Sequence, residues 1–291
     1  MPFTFSHPAA VLPLARYKLR LSGLVIGSMI PDLVYFLGLM PLRDFTHSIP
    51  GLLLYCIPAG LAAVWLFQSY LRAPLAAILQ EYGELINGSG RKLSLFPAGP
   101  LGILVLSIFI GAATHVLLDG FTHEDGWALQ YFPFLGGTVL DLGFDRVSLT
   151  RVLHHSGSLL GGAYIFFWAR RRLRFAERTG QTAAWAYRGN LNSLWLRIPL
   201  ALSAILGYLF AWSQSGLVES YHELRIFMVQ GLFAWGTFIL CFVLLYCLYW
   251  HGKQSLISSS RFQVVKKSGN DLTGRAEIGN RKPETETWKP S

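Results

Sequence analysis

Six apolar stretches, at about residues 21–40, 50–71, 100–120, 153–169, 195–213 and 226–250, each come near the length of a bilayer-spanning helix, which needs about 20 residues. Of the 291 residues, 52% are hydrophobic and 14% are charged, whereas a soluble domain carries about 25% charged residues. In hydrocarbon a chain must satisfy its own backbone polar groups, and only helices and closed barrels do so. The expected fold is therefore all-α. It is a polytopic membrane helix bundle of about six transmembrane helices plus a short, partly inserted N-terminal helix. Residues 1–252 form the membrane domain, with the motif-bearing part at 1–165. Residues 253–291 are rich in Ser, Gly, Lys, Arg and Glu and read as a disordered basic cytoplasmic tail. Met1 to Ser6 lacks a basic stretch and Pro8 and Pro13 follow, so no cleavable leader is expected. Cys56, Cys241 and Cys247 lie in apolar stretches with neither metal-knuckle nor disulfide spacing.

The formal net charge is +9, and the basic residues are clustered. Arg170, Arg171, Arg172, Arg174, Arg178 and Arg188 follow the fourth stretch, and more lie in the tail. Cytoplasmic loops of membrane proteins carry this bias, so no nucleic-acid partner is expected. With the basic loop inside, segments 72–99 and 170–194 and the tail are cytoplasmic. Segments 41–49, 121–152 and 214–225 face outward.

Six of the eight histidines precede residue 156. His47, His115, His123, His154 and His155 then fall at the outer ends of the first four spans, together with Asp119. His115 and Asp119 are four apart and share a helix face. Asp32 follows Pro31 deep in an apolar stretch, where a lone carboxylate needs a proton or a cation. Imidazole and carboxylate together suit zinc and other divalent first-row metals. A hydrogen-bonded polar network that packs helices is the alternative, although Asn, Gln, Ser and Thr would serve it at lower cost. His123 either extends the His115–Asp119 face or belongs to the loop. Adjacent helical residues point about 100° apart, so at most one of His154 and His155 faces the site. His155 is selected by the small residues after it, Ser156-Gly157-Ser158 and Gly161-Gly162. His7 joins the same level if residues from Pro8 to Tyr17 form a short helix that returns through Leu21 to Asp32.

Four elements occur in order: His7, Pro31-Asp32, Thr46-His47-Ser48, and His115 with Asp119. Together they resemble the bacterial inner-membrane metal-dependent hydrolases, which are distantly similar to zinc-dependent phospholipase C. The start Phe3 to Ala9, Phe-Thr-Phe-Ser-His-Pro-Ala, resembles that of an uncharacterised bacterial integral membrane family. Val34 stands where the hydrolase pattern often has a second acid. Arg43-Asp44 precede Thr46-His47-Ser48 without the usual His. The resemblance implies a bacterial inner (cytoplasmic) membrane protein with a divalent metal, zinc, near the outer face. The metal set is His7, Asp32, His47, His115 and Asp119, with His123 and His155 as outer members.

The expected function is metal-dependent hydrolysis of a lipid or lipid-linked (phospho)ester, with membrane lipid as partner and Asp32 or Asp119 as general base. Alternatives are a transporter or proton/metal conduit using intramembrane His and Asp, or a non-catalytic membrane scaffold.

Overall fold

In a computed structural model of the full chain, the structure describes residues 4–78, 98–141, 143, 145–178, 194–215 and 220–278, with the side chains at 78, 98, 176, 177, 194–197, 222 and 256–278 left aside. The expected inward loop containing Arg91 and Lys92, together with Arg188, His222 and residues 279–291, thus lies wholly or in part outside the description. The chain divides into two compact units at Leu244 and Leu245. The second unit is helical as far as Ile278, a region expected to be disordered from residue 253. Apart from the course of the last helix, all structure discussed below is in the first unit.

The start folds as a hairpin. A 3₁₀ turn, Thr4–Ser6, leads into helix α1, Pro8–Val11, and a second 3₁₀ turn, Leu12–Tyr17. Pro8 opens α1 at a position where a missing N–H costs nothing. Lys18 takes a left-handed backbone conformation, φ 62°, and turns the chain back into α2, Leu21–Gly27. The first expected span does not continue as one helix. It breaks after Gly27, forms a 3₁₀ turn at Ile30–Asp32 and resumes as α3, Leu33–Phe36. Pro31 cannot donate to an α-helical ladder, and Gly38, at φ +70°, ends α3 in the manner of a helix-terminating glycine. The apolar helical segment is thus Leu21–Phe36, too short to cross a bilayer alone.

Helix α4, Arg43–Thr46, precedes α5, Ile49–Ala77, which contains π turns at Leu52–Cys56 and Phe67–Leu71. Ser48 caps α5 by accepting the Gly51 N–H at 3.1 Å. Next come α6, Ala98–Thr122, and α7, Ala128–Tyr131, then a hairpin of β1, Thr138–Asp141, and β2, Arg146–Ser148. The hairpin pairs Asp141 with Arg146 and Thr138 with Ser148, and no other sheet occurs among the described residues. The long helices α8, Leu149–Arg178, α9, Leu194–Ser215, and α10, Tyr221–Ile278, complete the chain.

Among the described residues, four helices are long and apolar enough to cross a membrane: α5, α6 over Gly99–Thr122, α9 over Ile198–Ser215, and α10 over Glu223–Ser255. They coincide with four of the six expected spans. The expected span at 153–169 lies in α8, which is long but does not qualify, because His154, His155 and a run of arginines from Arg170 dilute its apolar stretch. The chain is an α-helical membrane protein.

Close packing of α2 against α6 sets the interior. A Cβ on Gly27 would collide with the Ile108 carbonyl oxygen, and one on Gly111 with that of Leu24. Both glycines let the two backbones touch. Helices α9 and α10 meet similarly at Gly207 and Trp235, whose indole N–H donates to Ser203 Oγ at 3.1 Å. Thr237 on α10 donates to the Phe36 carbonyl at 3.1 Å, and Phe233 stacks on Tyr35, which holds α3 in place.

Gly111→Val drives side-chain atoms into the α2 backbone and should destabilise the protein by about 1–3 kcal/mol, the usual cost of overpacking. Gly157→Ala, which meets nothing within 4 Å, should be neutral or slightly stabilising. Thermal unfolding in detergent compares the two directly.

Candidate metal centre

The break between α2 and α3 creates the first part of the site. With the helix interrupted at Ser28, the Ser28 carbonyl accepts from His115 Nδ1 at 2.8 Å across the α2–α6 contact. A carbonyl only accepts, so His115 carries its proton on Nδ1 and presents an Nε2 lone pair. The 3₁₀ turn that follows aims Asp32 at the same point. Short helix α4 is tied to this turn by Thr46 Oγ1, which donates to the Pro31 carbonyl at 3.0 Å. His47, at the end of α4, donates from Nδ1 to the Arg43 carbonyl at 3.0 Å. Its Nε2 also carries a lone pair. One turn beyond His115, Asp119 completes the set.

Four atoms converge. His47 Nε2 is 3.5 Å from both Asp32 Oδ1 and Asp119 Oδ2, and His115 Nε2 is 3.4 Å from the same two oxygens. All four lie within 4.8 Å of one another. None of them has a hydrogen-bond partner, and all are buried. Each points a lone pair inward, so the arrangement is repulsive without a positive charge at its centre. A tetrahedral zinc site with bonds of about 2.0–2.1 Å has ligand-to-ligand edges of about 3.3–3.4 Å, close to the four His-to-Asp distances found, and the His–His and Asp–Asp pairs lie within 4.8 Å. Two carboxylates and two neutral imidazoles bring two negative charges, which a divalent ion cancels. Additional protons on the imidazoles are the alternative source of positive charge. Protonating both places two cationic rings 5.3 Å apart between their centres, with His115 fully buried; the adjacent carboxylates favour such charge, and burial and the neighbouring ring oppose it.

The outward atoms of all four residues are occupied. Thr4 Oγ1 donates to Asp32 Oδ2 at 2.7 Å, and His7 Nε2 bonds Asp119 Oδ1 at 3.1 Å. Second-layer partners of this kind orient metal ligands and fix their tautomers. Thr4 and His7 are three apart on a 3₁₀ turn, where such side chains eclipse, so one turn serves both carboxylates. The turn is held close by Gly161 of α8, where an added Cβ would lie 3.0 Å from Ser6 Cβ. His7 also stacks on His115, with ring centres 4.0 Å apart.

Of the seven residues expected at a metal, four form the cluster. His7 lies behind it, bonded to Asp119. His123 adjoins it: Nδ1 donates to the Asp119 carbonyl at 3.0 Å, and its buried Nε2 has no hydrogen-bond partner. His155 is not brought to the site. It is exposed on α8, and it is His154 whose ring comes within 6.0 Å of His123. Residues seven apart share a helix face, so His154 lies on the face of Gly161, which meets the N-terminal turn. His155 shares the face of Gly162, which meets nothing within 4 Å. Asp32 and Asp119, expected as general bases, each have one oxygen in the cluster and the other hydrogen-bonded.

Two features escaped the sequence reading. Thr4 was visible only as part of the N-terminal motif. Arg43 was read as a departure from the hydrolase pattern, yet it binds Asp125 at 2.6 Å and so joins the helix bearing His47 to the loop after α6. Burial works to raise the Asp125 pKa, but the Arg43 guanidinium outweighs it and holds the carboxyl below its ordinary value.

The chain matches the family "Domain of unknown function (DUF4184)" over residues 1–248, and it belongs to that family. This agrees with the expected uncharacterised family, and the match carries no hydrolase description. No curated protein and no solved structure matches the chain.

Thr4→Val removes the donor to Asp32 and should weaken metal binding about 10–100-fold, the usual effect of losing such a partner. Thr4→Ser should retain most of the affinity. Competition with a chromogenic chelator measures both. For Asp125 the folded pKa is depressed, so the Arg43 pair contributes stability above the unfolded carboxyl pKa of about 4 and loses it as pH falls through the lower folded value. Stability curves of wild type and Asp125→Asn should therefore differ above about pH 5 and converge in strong acid.

Proposed function

We propose that this member of the DUF4184 family is a membrane-embedded, metal-dependent hydrolase. It holds a divalent ion, zinc, between Asp32, His47, His115 and Asp119 and acts on a lipid or lipid-linked (phospho)ester. The observation that carries the reading is the convergence of four buried, partnerless atoms whose imidazole tautomers are set from behind. Two imidazoles among the four donors favour zinc over harder ions such as magnesium. When bound, the ion supplies Lewis acidity, which acidifies water and polarises a substrate oxygen.

The protein residues do the rest. Asp32 and His115 side chains are fully enclosed, whereas that of His47 is 13% exposed, so substrate approaches past His47. His123 lies near this side with a buried nitrogen unpartnered. Thr4 and His7 keep the carboxylates turned inward.

The position of the site supports its orientation. Helix α8 starts beside it, where Ser148 and Arg151 both bond Glu124. Its run of arginines begins 21 residues on from Leu149, at Arg170, or about 32 Å of helix, near the thickness of a hydrocarbon core. A basic cytoplasmic end then supports a site toward the outer side of a bacterial inner membrane.

A conduit is less well supported. Among the described residues, no Asp, Glu or His lies in α5 or α9, and none lies in α6 before His115. Ser28 and Ser107, deeper than the cluster, donate to backbone carbonyls. A structural metal is the second reading, and the four-residue donor set favours it, because catalytic zinc usually has three protein ligands and an open position.

Elemental analysis of detergent-purified protein should find close to one zinc per chain, lost in His115→Ala and Asp119→Ala variants that remain helical and monodisperse. Zinc-loaded wild type should hydrolyse a phosphodiester presented in lipid micelles, and both variants should lose that activity at least 100-fold. Stoichiometric zinc with no hydrolysis of any lipid ester would leave the structural reading. Folded wild type without metal would end both.

A further inference from the structure

We infer that segments 37–49 and 126–140 form an apolar collar inserted into the membrane leaflet on the metal centre's side, so that lipid surrounds the mouth of the site.

Neither segment belongs to the body of a candidate span, yet both expose large apolar side chains. Met40 and Phe45 are 55% and 43% exposed in the first, and Tyr131, Phe134 and Leu140 are 72%, 66% and 52% exposed in the second. Residues 126–140 contain no charged side chain, and residues 37–49 contain only Arg43 and Asp44, of which Arg43 is turned to Asp125. Exposed apolar patches of this extent mark a membrane or a partner.

Lipid is the occupant for three reasons. The first is continuity. Segment 37–49 runs directly into α5, whose first turns continue the same surface with Leu54 at 71% exposed. The second segment follows the end of α6. The second reason is level. The Arg43–Asp125 pair joins the two segments, and His47 and His123 of the site lie within or just before them. The third is polarity. The ionic network of Glu124, Asp145 and Arg151 brackets the aromatic stretch, giving an amphipathic element of the kind that lies about 5–10 Å into the headgroup boundary. Trp127 and Tyr131, with ring centres 6.3 Å apart, are the residue types that collect there.

The inference rests on the membrane reading of the chain and not on the metal. Combined with the proposed activity, it favours substrates that enter sideways from the leaflet over water-soluble esters.

The test uses the full chain in nanodiscs at one copy per disc. Cys241, the one exposed cysteine, is replaced by Ala. Phe134→Cys, Leu140→Cys and, as a water-side control, Arg146→Cys are each labelled with bimane. Doxyl lipid spin-labelled at acyl carbon 5 should quench the labels at 134 and 140 at least threefold more than that at 146, and aqueous iodide should show the reverse order. Iodide access at 134 and 140 equal to that at 146 would overturn the inference. So would protection of both positions from both quenchers, which would mean that protein covers them. Neither readout depends on metal content or activity.

Discussion

Four lone pairs meeting in a buried interior form the constraint on which this structure depends. Asp32, His47, His115 and Asp119 turn partnerless atoms toward one point, 3.4–3.5 Å apart around the ring. Buried polar atoms are normally paired, and orphaning them costs about 1–3 kcal/mol each, more for charged groups. Four orphans facing one another are not incidental to packing. They make sense around a cation, and much of the surrounding fold holds them there. The break after α2 frees the Ser28 carbonyl for His115. The glycine contact between α2 and α6 brings that carbonyl within reach. Thr46 ties α4 to the Asp32 turn.

The N-terminal turn shows how such a site is made rigid inside a membrane protein. Helix ends and broken helices are tolerated at membrane depth only where protein covers them. Here residues 4–17 provide that cover, and Thr4 and His7 take up the outer carboxylate oxygens. One short segment therefore encloses the site and orients its ligands. The same arrangement narrows the chemistry. With one oxygen of each carboxylate hydrogen-bonded from behind and the other turned to the centre, Asp32 and Asp119 are suited to holding an ion, and proton transfer passes to other groups near His47. A donor set of this composition serves either a catalytic or a structural ion, and access past His47 is the feature that favours catalysis.

Much of this was legible in the sequence, for reasons that can be named. Helical periodicity put His115 and Asp119 on one face, and the apolar context made Asp32 too costly to stand alone. The hairpin bringing His7 to the site followed from a short helix after Pro8 and a return through Leu21 to Asp32. What could not be read depended on rotation and local backbone geometry. His155 was expected and His154 is the residue turned inward, because the contact at Gly161 sets the rotation of α8 and Gly162 faces away. The first span was expected to be continuous, but Gly27 and Pro31 divide it. The β-hairpin at 138–148 gave no clear alternation. Thr4 has no signature apart from its place three residues before His7.

The most direct test of the central claim is X-ray absorption at the zinc edge of the purified, detergent-solubilised protein. The account predicts a first shell of nitrogen and oxygen at about 2.0–2.1 Å, with outer-shell scattering from two imidazole rings that falls to one or none in His47→Ala. A shell containing sulfur, or one with no imidazole scattering, would contradict it.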